Sequence, residues 1–241
     1  MPVTDVPSDA PTDGRATRWA DHRAARRTEL VRAARRAVHD RGPDVSMEDI
    51  AAHIGTSKPI LYRYFTDKSG LQVAVGHAVL ARMQGALEEA AAGAGGPRER
   101  ISAMVRVYLE MVDASPHVYA FVSRPEANAG ELRGFVSQVA DLVVDALLPA
   151  LTGQDDEVPA REDLDAETLT AARLWAAGVV GLVRGAVDLW LGDRLDDPDD
   201  ADAGGSATGL DREALALHLS NWLWDGAVGV LRRTRTATTR A

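Results

Sequence analysis

Apolar residues recur along the chain at spacings of three and four and no strict alternation persists, so the pattern predicts an all-α protein of about nine helices. Leu30, Ala33, Ala34, Ala37 and Val38 form the stripe of a first helix over Arg18–Arg41, which Gly42 and Pro43 end. Two short helices follow. Ser46 stands where an N-cap is needed, Asp49 lies three residues on in capping-box spacing, and Ile50, Ala51 and Ile54 make the buried face. Gly55 lets the chain turn in a left-handed conformation. A second short helix then runs from Ser57 to Phe65 and accepts Pro59 in its first turn, where no N–H partner is required.

The remaining helices are longer. Asp67 caps a fourth that reaches about Ala90, where AAAGAGGP breaks the pattern. Ile101, Met104, Val105, Tyr108, Leu109 and Val112 mark a fifth, stopped near Ser115 and Pro116, and a short sixth lies between Pro116 and Pro125. A seventh spans Glu131–Leu151, an eighth Asp165–Leu191 and a ninth Asp211–Arg233, separated by loops at 154–163 and 192–209. Prolines and small polar residues at the start predict a disordered arm over 1–17. The domain reading is an N-terminal three-helix helix-turn-helix unit over 18–70 and a larger helical regulatory body over 71–241, with the boundary inside the fourth helix.

Charge changes the picture more than composition does. The chain has 46% hydrophobic and 26% charged residues, a globular balance, and no window holds the roughly 18 uninterrupted apolar residues of a membrane span. The start lacks the apolar run of a secretory signal, so the expected location is cytoplasmic, associated with the nucleoid. Net charge is −9, which taken whole argues against a polyanionic partner. Between Arg15 and Gly70, however, twelve basic residues face seven acids, a local +5 that leaves −14 for the rest. A basic head on an acidic body fits nucleic-acid binding; solvated helix surface is the plainer account of Arg26, Arg27, Arg35 and Arg36.

Two short helices joined by a Gly-containing turn are the geometry that sets a second helix in the DNA major groove. Here that helix opens with Thr56, Ser57 and Lys58, whose hydroxyls, N–H groups and charge suit phosphates and base edges. Pro59 and Ile60 can meet thymine methyls, and Tyr62, Arg63 and Tyr64 can reach flanking phosphates. Ile50, Ala51, Gly55, Ser57, Leu61, Tyr62, Tyr64, Phe65, Lys68 and Leu71 together resemble the motif of the tetracycline-repressor (TetR) family, over roughly Arg23–Leu71.

The resemblance implies that Lys58, Pro59 and Ile60 meet base edges or adjoining phosphates, that Tyr62, Tyr64 and Lys68 clamp the backbone, and that Ile50, Ala51, Leu61 and Phe65 are core. Some relatives place a basic side chain where this chain has Glu48, which either accepts from a cytosine amino group or is solvated surface. Arg15 and Arg18 either enter a minor groove or belong to an unbound tail.

A two-fold operator requires two heads about one turn of DNA apart, roughly 34 to 36 Å. Ala177, Gly181 and Gly185 leave one face of the eighth helix nearly bare, with Leu174, Leu182, Val183, Leu189 and Trp190 nearby. On the ninth, Leu215, Leu219, Trp222, Leu223, Val230 and Leu231 are apolar. The resemblance implies that these helices pair with their mates as a four-helix bundle; intrachain packing is the alternative. It also implies an effector cavity around Met104, Tyr108, Met111, Tyr119, Phe121, Phe135 and Trp175, though each is equally an ordinary core residue. The effector it implies is hydrophobic or amphipathic, and its binding would release a repressor from DNA.

Two other classes remain open on sequence. An enzyme would need a catalytic constellation, and the six histidines stand scattered with no H-E-x-x-H, phosphate loop or G-x-S-x-G. With no cysteine and no EF-hand pattern in Asp193–Asp202, neither metal nor cofactor is expected. A sequence-nonspecific or effector-independent DNA-binding adaptor that works through a protein partner would look much the same. The expected partners are double-stranded operator DNA, a second copy of the chain and a small apolar effector.

Overall fold

The computed structural model describes residues 14–152, 161, 164–196 and 209–238, and these form nine helices with no strand among them. They are α1 (Gly14–Arg41), α2 (Met47–His53), α3 (Lys58–Tyr64), α4 (Lys68–Ala92), α5 (Pro97–Asp113), α6 (Pro116–Val122), α7 (Pro125–Thr152), α8 (Ala166–Asp196) and α9 (Arg212–Thr238). The helix ends follow local chemistry. Ser46 accepts from the Asp49 N–H at 3.1 Å while the Ser46 N–H donates to the Asp49 carboxylate at 3.3 Å, a reciprocal box that satisfies two orphan donors. Asp67 caps α4 through the Gly70 N–H at 2.7 Å. Gly55 takes φ +68°, the left-handed conformation that turns α2 into α3.

Two cores result. The head core holds Leu30, Ala34 and Val38 of α1, Ile50 and Ala51 of α2, Leu61 and Phe65 at α3, and Leu71 and Val75 of α4. It also takes in Val118, Phe121 and Val122 of α6. The body core gathers α4, α5, α7, α8 and α9 around residues such as Leu109, Val144, Ala176, Trp190 and Leu219. Full burial of a Leu or Phe side chain stabilises by roughly 1.5–3 kcal/mol. Leu61, wholly buried, is therefore the anchor of α3, and its truncation to Ala would cost about 2–5 kcal/mol.

The fourth helix contributes to both cores, Leu71 to Val75 at one end and Met83 and Leu87 toward the other. At 25 residues it is about 37 Å long and ties head to body. The sixth helix is the second tie. Gln72 of α4 donates to the Phe121 carbonyl at 2.6 Å in a buried position, and Ser115 and His117 bond the ring and carbonyl of His39 at the end of α1.

Several boundaries differ from the sequence reading. The first helix begins at Gly14, so 14–17 are helical and not part of an arm; the rest of the expected arm, 1–13, lies outside the described residues. The seventh begins at Pro125 and not Glu131, since a proline in a first turn starts a helix as readily as it ends one. Most of the acidic loop after α8 lies outside the described residues. By length and composition Ala166–Gly192 would suffice to cross a bilayer; in the fold, Ala176, Val179, Val187 and Trp190 on one side of it are buried.

Candidate functional site

Five of the nine residues expected to meet DNA are exposed at the second short helix, and Thr56, Lys58, Tyr64 and Lys68 are half-buried. Leu61 and Phe65 point inward, which by helical periodicity leaves Ser57, Pro59, Ile60, Tyr62 and Arg63 exposed, Ile60 at 39% and Tyr62 at 43%. Ser57 is the N-cap of α3 and makes no side-chain cap bond. Its hydroxyl is not spent on the helix. The Thr56 N–H donates to the Ala51 carbonyl at 2.9 Å, so it closes the turn and is not available to a phosphate.

Charge at the head is partly spoken for. Lys58 is paired with Glu48 across the turn, and its ammonium lies 5.8 Å from the centre of the Tyr62 ring. Glu48 is thus the ion-pair partner of a candidate reader. Tyr64 is half-buried against the head core, and Lys68 donates to the Asp44 carbonyl at 3.1 Å, fixing the loop before α2. Arg124, at the junction of α6 and α7, binds the Asp44 carboxylate at 2.5 Å and holds its pKa below the ordinary carboxylate value. Arg27 stacks on the Phe65 ring at 5.2 Å.

An open cavity of about 1090 Å³ runs through the body to the side of α1. Met104, Tyr108, Met111, Tyr119 and Phe135 line it, as expected, with valines of α5, α7 and α8. Two expected lining residues do not. Phe121 is fully buried in the head core, because α6 turns that side toward α1 and α4. Trp175 packs against α9, where its indole nitrogen would stand 3.2 Å from a Cβ at Gly226.

A polar cluster interrupts the apolar wall where α5, α6 and α8 meet. The Tyr119 hydroxyl donates to the Asp188 carboxylate at 2.5 Å, Tyr108 lies beside Tyr119, and Arg184 reaches the Ser123 carbonyl at 3.3 Å. Burial pushes the Tyr108 phenol up to about 12 and raises Tyr119 as well, with the Asp188 charge adding to both. Both phenols stay protonated and can offer or accept a hydrogen bond. The sequence reading missed Asp188 and Arg184, although their four-residue spacing on one helix was visible. Among the described residues no group of three or more acids and histidines is placed to hold a metal ion.

The expected pairing face divides in two. Ala177, Gly181 and Gly185 of α8 are exposed, as are Leu174 at 71%, Leu189 at 64% and, on α9, Leu217 and Trp222, the latter at 55%. A Cβ added at Gly181 or Gly185 would meet nothing within 4 Å. Leu219 and Leu223 instead point into the body core, and Leu223 lines the cavity. They leave the exposed face because α5 packs on the opposite side of α9. The Val230 and Leu231 side chains lie outside the described residues.

Comparison with known proteins agrees with this layout. Residues 30–75 match the family model described as bacterial regulatory proteins, tetR family, and residues 83–203 match the tetracyclin repressor-like C-terminal domain. An uncharacterised HTH-type transcriptional regulator of Mycobacterium tuberculosis is 33% identical over 187 residues, 76% of this chain and 74% of that protein. The HTH-type transcriptional activator FasR of Mycolicibacterium smegmatis is 27% identical, over 74% of this chain and 78% of its own. The regulator FadR of Bacillus subtilis, solved in complex with stearoyl-CoA, has a similar fold, with TM-score 0.59, 15% identity and coverage of 83% and 98% of the two chains.

Proposed function

The chain belongs to the tetR family of bacterial regulatory proteins and is a transcriptional regulator with a helix-turn-helix DNA-binding unit, and from that premise we propose that it is a homodimeric repressor of a palindromic operator, released by a hydrophobic or amphipathic effector. The observation that carries the reading is the combination of an exposed Ser57–Arg63 face on α3 with a large apolar cavity walled by α6, a helix that also closes the head core. Ser57, Lys58, Pro59 and Ile60 read base edges and adjoining phosphates, while Tyr62, Arg63, Tyr64 and Lys68 hold the backbone. Thr56 positions the turn.

Two copies pair through the exposed faces of α8 and α9, where Ala177, Gly181 and Gly185 admit close approach and Leu174, Leu189 and Trp222 supply apolar area. An exposed apolar surface of this kind on a chain that must present two heads favours a second copy as its cover.

An effector acts by preferring one arrangement of head and body over the other. Ligand in the cavity presses on α4 and α6, both built into the head core, and a differential affinity of about 1–3 kcal/mol suffices for regulation. The stearoyl-CoA of the fold relative supports an acyl chain as the apolar part. Selection of bound sequences from random duplexes, followed by a search for ligands that release them, tests the whole reading. A palindromic consensus and release by an apolar ligand are expected. No enriched sequence, or a consensus without two-fold symmetry, would overturn it. Because one relative is an activator, a reporter under the selected operator reads the sign of regulation separately, with repression expected.

A further inference from the structure

The cavity does not end in the body. Its lining continues along a seam between α1 and α4, where Arg32, Arg36 and Arg82 are exposed beside Thr28, His77 and Ala78, and Arg35 is half-buried. Arg32, Arg35 and Arg36 occupy one stripe of α1 at spacings of three and four, and Arg82 lines the same space from α4. Among the described residues none of these four has an acid partner, whereas Arg26, Arg124, Arg161 and Arg212 are all paired. Glu110 is the single acid among the lining residues described. The charge pattern alone reads these α1 arginines as part of a nucleic-acid head; the structure places them at the mouth of an apolar chamber.

Four guanidiniums without counter-charges at the rim of a low-dielectric cavity focus a positive potential on its entrance. Arginine forks match carboxylate and phosphate oxygens in paired, charge-assisted hydrogen bonds. A wholly apolar ligand would leave this rim unused. At about 1090 Å³ the open cavity lies slightly above the roughly 300–1,000 Å³ of small-molecule sites.

We propose that Arg32, Arg35, Arg36 and Arg82 form an anion subsite, and that the effector is a long-chain amphipath whose carboxylate or phosphate head docks there while its chain fills the cavity. This rests on the effector reading above and gives it a chemical class. Because three of the four arginines belong to α1, such a ligand bridges the DNA-reading head and the body with its own length.

Calorimetric titration of the full chain at fixed salt with dodecanoyl-CoA, dodecanoate and dodecanol tests this, using wild type, the Arg35→Gln/Arg82→Gln variant and its Lys counterpart. Wild type is expected to prefer one of the two anionic ligands over dodecanol by about tenfold or more, the acyl-CoA if phosphates are read and dodecanoate if a carboxylate is. The Gln variant should lose that preference while keeping its affinity for dodecanol, and the Lys variant should retain part of it. If the Gln variant melts below the assay temperature, Arg32→Gln/Arg36→Gln at exposed positions carries the same comparison. Equal binding of all three ligands by wild type, or a preference that survives the Gln substitutions, would overturn the subsite and leave the effector reading standing. A Gln variant that loses affinity for DNA with ligand preference unchanged would assign the arginines to the DNA backbone and equally overturn it. Binding of none of the three by wild type would remove both the subsite and the effector reading.

Discussion

Glu48 of α2 is paired with Lys58 at the start of α3, so the candidate reading lysine is held by a carboxylate on its own head. Both side chains are substantially exposed, and such pairs contribute only about 0–1 kcal/mol to folding. The pair therefore matters more for binding than for stability. A phosphate approaching Lys58 must displace Glu48 or share the ammonium with it.

Glu48→Gln should tighten binding to any duplex by a few-fold and steepen the salt dependence by about one released counterion, a slope change of about 0.9. Fluorescence anisotropy titrations across a salt series measure both. An unchanged slope would mean that Lys58 does not meet the backbone.

Tyr62→Ala removes an exposed phenol and should leave the melting temperature almost unchanged while weakening operator binding about 10- to 100-fold. Wild-type affinity in a folded variant would show that α3 lies in the groove with a different face toward the DNA.

A tryptophan at Gly181 or a glutamate at Leu174 should convert dimer to monomer without loss of helicity, because both positions open to solvent within one chain. Helix propensity rises slightly when glycine is replaced, so a folding defect is not expected for Gly181→Trp. Sedimentation velocity reads the mass and circular dichroism the fold; a dimer that survives both substitutions would place the interface elsewhere.

The buried bond from Gln72 to the Phe121 carbonyl joins α4 to α6. Gln72→Leu keeps much of the volume and orphans that carbonyl near the end of α6, at a cost of about 1–3 kcal/mol. A lowered melting temperature together with weaker effector-induced release is expected. Loss of stability with release unchanged would mean that α6 does not couple the two cores.

How much of this was legible follows the distance over which each signal acts. The Ser46–Asp49 box and the Gly55 turn were readable because their partners lie within three or four residues. Phe121 and Trp175 were misassigned to the cavity for the opposite reason. Helical period marks a residue as apolar but not which neighbouring helix it meets. The same ambiguity hid the split of α9, where Leu219 and Leu223 face inward and Trp222 outward although all three are apolar. The α1 arginines were counted as head charge, and only packing against α4 joins them to the cavity.

Acid should weaken the head. The Asp44 pKa is held down by Arg124 and that of Asp49 by Ser46, so each group contributes stability that is present above the ordinary carboxylate value of 3.8 and is lost as pH falls through the lower folded value. Melting temperature should be flat at mildly acidic pH and fall below about pH 4. Asp44→Asn should remove its share of that slope, and an identical acid limb would refute the assignment.

The most direct test of a sequence-reading head is the ratio of affinities for the selected palindrome and for its scrambled duplex, measured by anisotropy competition at about 0.15 M salt. A sequence-reading head gives a ratio on the order of 10³ or more, lowered toward unity by Tyr62→Ala. Equal affinity for both duplexes in the wild-type protein would contradict it.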